Sequence, residues 1–171
     1  MAIISSLEEN QIDSIAREVY EKFKKETGKV PEWVRVMAHS SKILKEFTEL
    51  FKIIMGEGEI EPLLKWKIGF VVSGTLKCPF CVDVTTKMLK SLGATEKIIN
   101  EMKEGKNLPE KERIVLDLVK EVTLKAYVSN HELFGEMKEN FSEEQIVEIV
   151  SIIGLFNYIN RFNNTLCILP E

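Results

Sequence analysis

Residues 78–93 read CPFCVDVTTKMLKSLG. Pro79 suits the first position of a helix, where the missing N–H leaves no hydrogen bond unmade, and Gly93 suits the residue just past the end. The stretch therefore predicts a helix that has Cys78 at its N-cap and Cys81 in its first turn. Because residues three apart on a helix have Cα atoms roughly 5–6 Å apart, the two cysteines can form a disulfide without a large backbone movement.

This position makes thiol–disulfide chemistry the leading hypothesis. A thiol in the first turn faces unpaired N–H groups and the positive end of the helix dipole, and both favour the thiolate. We therefore expect Cys81 to be the nucleophile, with a pKa below the roughly 8.5 of an ordinary thiol. Two alternatives stay open: a buried structural pair or static disulfide, and a metal site. A closed zinc site needs four ligands, so Cys167 with His39 or His131 would have to complete it.

The sequence on both sides of this pair predicts helices and almost no strands. The class is therefore all-α, which argues against a thioredoxin fold, whose CxxC follows a strand in a βαβ unit. We expect the last helix, which follows a capping box at residues 142–145, to be buried in the core or at a subunit contact, because it is apolar nearly all round. The predicted helices run from a capping box at Ser6–Glu9 to Gly28, from Pro31 to Met37, from Ser40 or Ser41 to Gly56, from Pro62 to Lys77, from Cys78 to Gly93, from Thr95 to Met102, from Pro109 to Tyr127, from His131 to Lys138, and onward from a second capping box at 142–145.

Length, composition and charge limit the class of protein. A chain of 171 residues that is 44% hydrophobic is long enough for one domain, which we expect to span 1–171. The net charge of −4, with signs mixed along the chain, argues against nucleic-acid binding. The longest apolar stretch, 146–156, is too short to span a membrane, and the first residues do not resemble a signal peptide. We predict a soluble, cytoplasmic protein whose reducing surroundings leave the cysteine pair free to cycle.

Several segments in order are similar to a known family. They are residues 36–44, residues 70–73 followed by Cys78-Pro79-Phe80-Cys81-Val82-Asp83, and residues 148–164. They resemble the carboxymuconolactone decarboxylase and AhpD-like alkylhydroperoxidase superfamily, in particular its peroxidase-related branch. The resemblance implies a helical bundle with a helix-CxxC-helix core, a trimer or hexamer, and hydroperoxide reduction through the cysteine pair. It implies no metal and no organic cofactor.

The implied mechanism uses both cysteines. Cys81 thiolate attacks the distal oxygen of a hydroperoxide and becomes a sulfenic acid, Cys78 displaces water from it, and an external dithiol reduces the resulting disulfide. The candidate catalytic residues are Cys81, Cys78 and Thr85. The alternative is a non-enzymatic or redox-sensing relative whose pair still oxidises without turnover.

The sequence departs from the active family pattern at two positions. That pattern has a glutamate twelve residues before the first cysteine and a histidine four residues after the second, and here these positions hold Trp66 and Thr85. The Thr85 hydroxyl can hydrogen-bond a thiolate but does not titrate near neutral pH, and Trp66 cannot relay protons. Loss of a general acid or base typically lowers the rate about 10²–10⁴-fold, so we expect slow turnover. Other groups that could assist are Lys67, Lys77 and Asp83.

We interpret the remaining conspicuous residues as structural. An isolated histidine at a helix end is usually a capping or packing residue, and a tryptophan is usually a core or interface residue. We expect Cys167 to be a packed apolar residue. A group of polar residues near the C-terminus is predicted to form a structural network or an oligomer contact, because buried amides need partners. These structural residues are His39, His131, Trp33, Trp66 and Cys167, with Asn157, Asn160, Arg161, Asn163 and Asn164 in the polar group.

Overall fold

The computed structural model describes residues 2–170 and consists of helices in that range, with no strand. The predicted all-α class is confirmed. The helices are α1 (Ser14–Thr27), α2 (Glu32–Met37), α3 (Ser41–Met55), α4 (Pro62–Thr75), α5 (Pro79–Ser91), α6 (Glu96–Glu104), α7 (Glu110–Lys125), α8 (His131–Asn140) and α9 (Glu143–Thr165), with a 3₁₀ turn at Ala38–Ser40 between α2 and α3.

The strongest start and stop signals in the sequence act as predicted. Cys78 is the N-cap of α5, Pro79 is its first residue, and Gly93 follows its end with φ of 90°. At the start of α9, the backbone N–H of Gln145 donates to Ser142 Oγ at 3.2 Å and the N–H of Ser142 donates to Gln145 Oε1 at 3.0 Å. This reciprocal pair satisfies two N–H groups that the helix leaves unpaired.

The predicted start of the first helix at Ser6 is wrong. Helix α1 begins at Ser14, where Asp13 Oδ1 accepts from the N–H of Ala16 at 2.9 Å. The preceding segment is held by other contacts, because the N–H of Leu7 donates to the carbonyl of Arg35 at 3.1 Å. The helix therefore starts at the N-cap Asp13, seven residues after the capping-box spacing that begins at Ser6.

Two other helices end earlier than predicted. Helix α4 stops at Thr75, and Lys77, with φ of 53°, turns the chain into Cys78. Helix α7 stops at Lys125, because Ala126 adopts a left-handed conformation with φ of 64°. Neither reversal occurs at a glycine, so no sequence signal marked it.

Helix α4 lies at the centre of the fold and packs against α5, α7 and α9. Its close approach to α9 depends on Gly69, because a Cβ atom there would lie 2.3 Å from Cζ of Phe156. The core takes buried side chains from every helix of the described chain, for example Ala16, Val34, Leu44, Ile68, Leu89, Ile99, Val115, Met137 and Ile152.

Helix α9 is buried along one face only. Ile149 and Ile152 on that face are fully buried, whereas Val147 is 66% exposed on the opposite face and Val150 and Tyr158 are also exposed. The prediction that α9 lies in the core or at a subunit contact is therefore confirmed for the buried face, and a subunit contact at the exposed face stays a prediction. No helix between residues 2 and 170 has the length and apolarity needed to cross a membrane.

Candidate functional site

The two cysteines of α5 meet in the interior of the protein. Their sulfur atoms lie 2.8 Å apart, and Cys78 is fully buried while Cys81 is 4% exposed. Cys78 Sγ also accepts the backbone N–H of Cys81 at 3.4 Å, and the N–H of Cys78 donates to the carbonyl of Ser73 at 3.1 Å. Both residues are free thiols, so the site is a preformed dithiol that needs little movement to close into a disulfide.

The two thiols differ in acidity, and the order is the reverse of the prediction. The side-chain hydrogen bond with Cys81, together with the N–H groups of Cys81 and Phe80, lowers the pKa of Cys78. The hydrogen bond with Cys78, followed by burial, raises the pKa of Cys81. The prediction that Cys81 has a lowered pKa is therefore wrong, because its hydrogen bond with Cys78 and its burial outweigh the benefit of the first helical turn.

Asn163 is a site residue that the sequence interpretation missed. It lies on the last turns of α9, and its Nδ2 donates to Cys81 Sγ at 3.3 Å. The side chain is fully buried, and its Oδ1 has no hydrogen-bond partner. This hydrogen bond lowers the pKa of Cys81, against the larger effects of Cys78 and burial that raise it. The only indication in the sequence was an amide on an otherwise apolar helix, and this does not predict which group the amide contacts.

Thr85 contacts the backbone of Cys81 and not its thiol. The Thr85 hydroxyl donates to the carbonyl oxygen of Cys81 at 2.7 Å and lies 3.2 Å from that of Val82. The expected contact between Thr85 and a thiolate is therefore not formed. Trp66 packs with aromatic rings, with Phe51 at 6.3 Å and Phe156 at 5.9 Å between ring centroids.

The other candidate groups have partners of their own or face solvent. Lys67 Nζ donates to both carboxylate oxygens of Glu112 at 2.7 Å, and Asp83 pairs with Lys87 at 2.6 Å. Lys77 directly precedes Cys78 in the sequence and is exposed to solvent. None of the three appears among the causes that shift the pKa of either cysteine.

Cys167 and the histidines lie outside the dithiol site. Cys167 is exposed, so the prediction that it is packed is wrong, and its φ of 55° follows from its place just after α9. His39 Nε2 lies 2.9 Å from the carbonyl oxygen of Ser5, and His131 is an exposed residue at the start of α8. Residues 2–170 contain no group of three or more potential metal ligands, so the structure gives no support to a metal site.

The polar group near the C-terminus divides between two roles. Asn157 donates to Thr123 Oγ1 at 3.4 Å, Asn160 donates to the carbonyl of Phe156 at 2.7 Å, and Asn164 donates to the carbonyl of Leu76 at 2.9 Å. These contacts agree with the predicted structural network. Asn163 is the exception, because its amide reaches a sulfur atom of the site.

Two solved structures have the same fold as this chain. An uncharacterized peroxidase-related protein from Silicibacter sp. TM1040 is 19% identical, with a TM-score of 0.88 over 99% of this chain and 92% of the other. A second, described as an alkylhydroperoxidase AhpD core from Ralstonia eutropha JMP134, gives the same values. The chain therefore has the same all-helical fold as these two proteins, one of which is described as an AhpD core, and this agrees with the resemblance found in the sequence.

The remaining comparisons add particular relatives. The debrominase Bmp8 is 22% identical, with a TM-score of 0.85 over 99% of this chain and 92% of that protein. By sequence, the chain is 27% identical to the uncharacterized protein YdfG of Bacillus subtilis over 78% of this chain and 86% of YdfG. It is 22% identical to the uncharacterized protein YnjA of Escherichia coli over 66% of this chain and 67% of YnjA. No family model matches the sequence.

Proposed function

We propose that this protein is a dithiol oxidoreductase that reduces hydroperoxides with Cys78 and Cys81. The observation that carries the proposal is the N-cap position of Cys78, with its sulfur 2.8 Å from Cys81 Sγ. A thiolate at a helix start with a second thiol in contact is the arrangement that a two-cysteine peroxidase needs. The AhpD-like fold supports the same class of reaction.

The proposed reaction begins at Cys78, because its sulfur accepts the backbone N–H of Cys81 at 3.4 Å at the start of α5, which stabilises a thiolate there and agrees with the lowered pKa of Cys78. Cys78 thiolate attacks the distal oxygen, the O–O bond breaks, and the alkoxide takes a proton to leave as an alcohol. The sulfur of Cys81 then attacks the sulfenic acid of Cys78, and hydroxide leaves as water with the second thiol proton. Two thiols and one hydroperoxide give one disulfide, one alcohol and one water. This order reverses the roles that the family resemblance implied.

An external dithiol completes the cycle by thiol–disulfide exchange. Thr85 acts in this scheme through its hydrogen bond to the Cys81 carbonyl, which fixes the backbone of the first turn. Because Trp66 and Thr85 stand at the positions of the family's glutamate and histidine, we expect slower turnover than in relatives that have both groups.

A second candidate reaction is reductive removal of bromine from a brominated ring. The observation that favours it is the shared fold with Bmp8, a debrominase that has also been solved in complex with 2,3,4-tribromopyrrole. The balance is similar, since two thiols and one carbon–bromine bond give a disulfide, a carbon–hydrogen bond and hydrogen bromide. The same dithiol would act as reductant in both reactions.

Substrate consumption with a supplied dithiol tests both reactions. The assay compares the wild type with Cys78→Ser and Cys81→Ser, and Cys167→Ser is the matched control because Cys167 lies outside the site. We expect hydroperoxide consumption that is lost in the first two variants and kept in the third. Loss of bromide from a tribrominated pyrrole, without peroxide consumption, would favour the second reaction. Disulfide formation without turnover on either substrate would favour the redox-sensing alternative.

We also propose that the protein forms a homo-oligomer. In support, a groove of about 640 Å³ runs between α3 and α9 and is lined by apolar side chains, including Phe47, Leu50, Leu155 and Tyr158. A second copy of this chain is the partner that the family resemblance implies. Its trimeric or hexameric size and its cytoplasmic location stay predictions.

A further inference from the structure

The side-chain amide of Asn163 connects helix α9 to the cysteine pair at the start of α5. Asn163 and Cys81 are 82 positions apart in sequence. The hydrogen bond from Asn163 Nδ2 to Cys81 Sγ, at 3.3 Å, brings α9 into contact with the first turn of α5. Both residues are buried, Asn163 fully and Cys81 to within 4%. Water therefore does not compete freely for this hydrogen bond, which strengthens it.

Packing alone does not explain an asparagine at this position. Its Oδ1 is buried without a partner, and its Nδ2 donates to sulfur, which is a weak acceptor as a neutral thiol. A leucine of similar size would avoid an unpaired buried oxygen. The hydrogen bond becomes strong only when Cys81 carries a negative charge. Asn163 therefore makes a strong hydrogen bond only when Cys81 is a thiolate.

We propose that Asn163 is a positioning residue that stabilises the thiolate of Cys81 when Cys81 attacks Cys78 and closes the disulfide. The inference deepens the proposed function, since it concerns the second step at the same pair. In that step the Cys81 proton is released, the new S–S bond forms, and the group bound to the Cys78 sulfur leaves. The amide keeps its proton throughout and acts only by its hydrogen bond.

The thiol acidities agree with this role. Cys78 and burial both raise the pKa of Cys81, and Asn163 is the contact that lowers it. Once Cys78 has reacted it is no longer an anion, so its repulsion of a Cys81 thiolate ends. The hydrogen bond from Asn163 then acts without that opposition.

Asn160 provides a matched control on the same helix. It lies nearly one turn before Asn163, it is also fully buried, and its Oδ1 is also unpaired. Its Nδ2 donates to the Phe156 carbonyl of its own helix and not to a sulfur. Asn160→Leu therefore changes burial and polarity as Asn163→Leu does, without removing a contact to the site.

The first measurement is the pH titration of thiolate absorbance in a Cys78→Ser, Cys167→Ser background, where Cys81 is the single thiol. We expect Asn163→Leu to raise the Cys81 midpoint by about one pH unit, the effect of one hydrogen bond to a charged group. Asn160→Leu should leave the midpoint unchanged. If Asn163→Leu fails to fold, Asn163→Asp keeps the size and should shift the midpoint the same way, because it replaces the donor with a carboxylate.

The second measurement needs no peroxide. Reaction of the Cys167→Ser protein with cystamine forms a mixed disulfide at Cys78, and mass spectrometry follows its closure by Cys81. We expect closure about threefold slower in Asn163→Leu, because a tenfold loss of thiolate is partly offset by the higher nucleophilicity of a more basic thiol. This rate decides the matter if Cys81 does not titrate before alkaline unfolding.

The outcomes separate the two proposals. An unchanged closure rate in Asn163→Leu, or an equal effect of Asn160→Leu, would overturn the role of Asn163. A different result would overturn the proposed function and leave the role of Asn163 in place. In that case the disulfide closes in the protein that keeps Asn163, closes more slowly in Asn163→Leu, and no hydroperoxide is consumed.

Discussion

The indole of Trp66 packs edge-on against the ring of Phe156, with centroids 5.9 Å apart and ring planes at 72°. Phe51 completes this contact at 6.3 Å from Trp66, so α3, α4 and α9 meet at an aromatic cluster. Such edge-to-face pairs add about 0.5–1.5 kcal/mol to the stability gained from burial alone. The position at which the active family pattern has a glutamate therefore serves packing in this protein.

Trp66→Glu should destabilise the fold by about 3–5 kcal/mol, because it removes a large ring and places a carboxylate among aromatic side chains. Trp66→Phe keeps an aromatic ring and should cost clearly less. Chemical denaturation of both variants beside the wild type measures the difference. Equal stability of Trp66→Glu and the wild type would show that the cluster does not hold these helices together.

A buried ion pair fixes the segment between α3 and α4. Lys65 Nζ pairs with Glu148 of α9 and donates to the carbonyls of Ile54 at 2.9 Å and Gly56 at 2.8 Å. Glu148 Oε2 in turn accepts the N–H of Glu59 at 2.8 Å. Because Lys65 is fully buried, these partners replace the water that would otherwise solvate its side chain.

Glu148→Gln should therefore destabilise the protein by about 3–5 kcal/mol, since it leaves a buried ammonium without its counter-ion. Glu144→Gln is the matched control, because Glu144 is exposed one turn earlier on the same helix. Thermal unfolding at neutral pH compares the two. The interpretation fails if both glutamines have the same small effect.

Cys78 should be the first of the paired thiols to react with an alkylating agent. Its lowered pKa means that its thiolate is present at a pH where an ordinary thiol is still protonated, whereas the raised pKa of Cys81 keeps that thiol protonated. Limited iodoacetamide treatment of a Cys167→Ser variant, followed by peptide mapping, identifies the modified residue. Preferential labelling of Cys81 would restore the order that the helix position alone suggested.

The features that the sequence predicted correctly are those set by neighbouring residues. The start of α5 at Pro79 follows from local backbone chemistry, as does the capping box at Ser142 and Gln145. The same local reasoning placed the two cysteines within reach of each other, as the contact of 2.8 Å confirms.

The features that it missed depend on distant contacts or on atomic positions within one turn. The contact between Asn163 and Cys81 joins residues 82 positions apart, and no periodicity encodes such a pair. The acidity order depends mainly on the hydrogen bond between the two sulfur atoms, which lowers the pKa of Cys78 and raises that of Cys81, and residue spacing does not predict which sulfur it favours. The rejected start at Ser6 depended on Leu7 bonding to Arg35, which is again a tertiary contact.

Acid should weaken the connection between α7 and α8. Glu121 Oε1 accepts from Ser129 Oγ at 2.6 Å and from the N–H groups of Ser129 at 2.8 Å and Asn130 at 3.0 Å. These hydrogen bonds, led by that of the Ser129 hydroxyl, lower the pKa of Glu121 from 4.5 to about 2. A lowered folded pKa means that the carboxylate adds stability above about pH 4.5, which is lost as the pH falls towards 2.

Glu121→Gln should therefore remove part of the acid dependence in that pH range. Thermal unfolding measured at several pH values for this variant and for Glu132→Gln, a nearby exposed residue, gives the comparison. The melting temperature of Glu121→Gln should fall less steeply with acid than that of either the wild type or the control. Parallel curves for all three proteins would contradict the role of Glu121.

The groove between α3 and α9 predicts where copies of the chain meet. Leu50 lines this groove and is 49% exposed, whereas Leu124, on α7, lies outside it and is 71% exposed. A lysine in the groove would have to be desolvated on association, so Leu50→Lys should shift the protein towards a smaller species, while Leu124→Lys should not. Light scattering coupled to size-exclusion chromatography, over a range of protein concentrations, measures the mass of each. Because both leucines are solvent-exposed in the single chain, neither change should unfold it, and circular dichroism checks this. A wild type that runs as a monomer at every concentration would refute the oligomer proposal, and a Leu50→Lys protein of unchanged mass would show that the copies meet elsewhere.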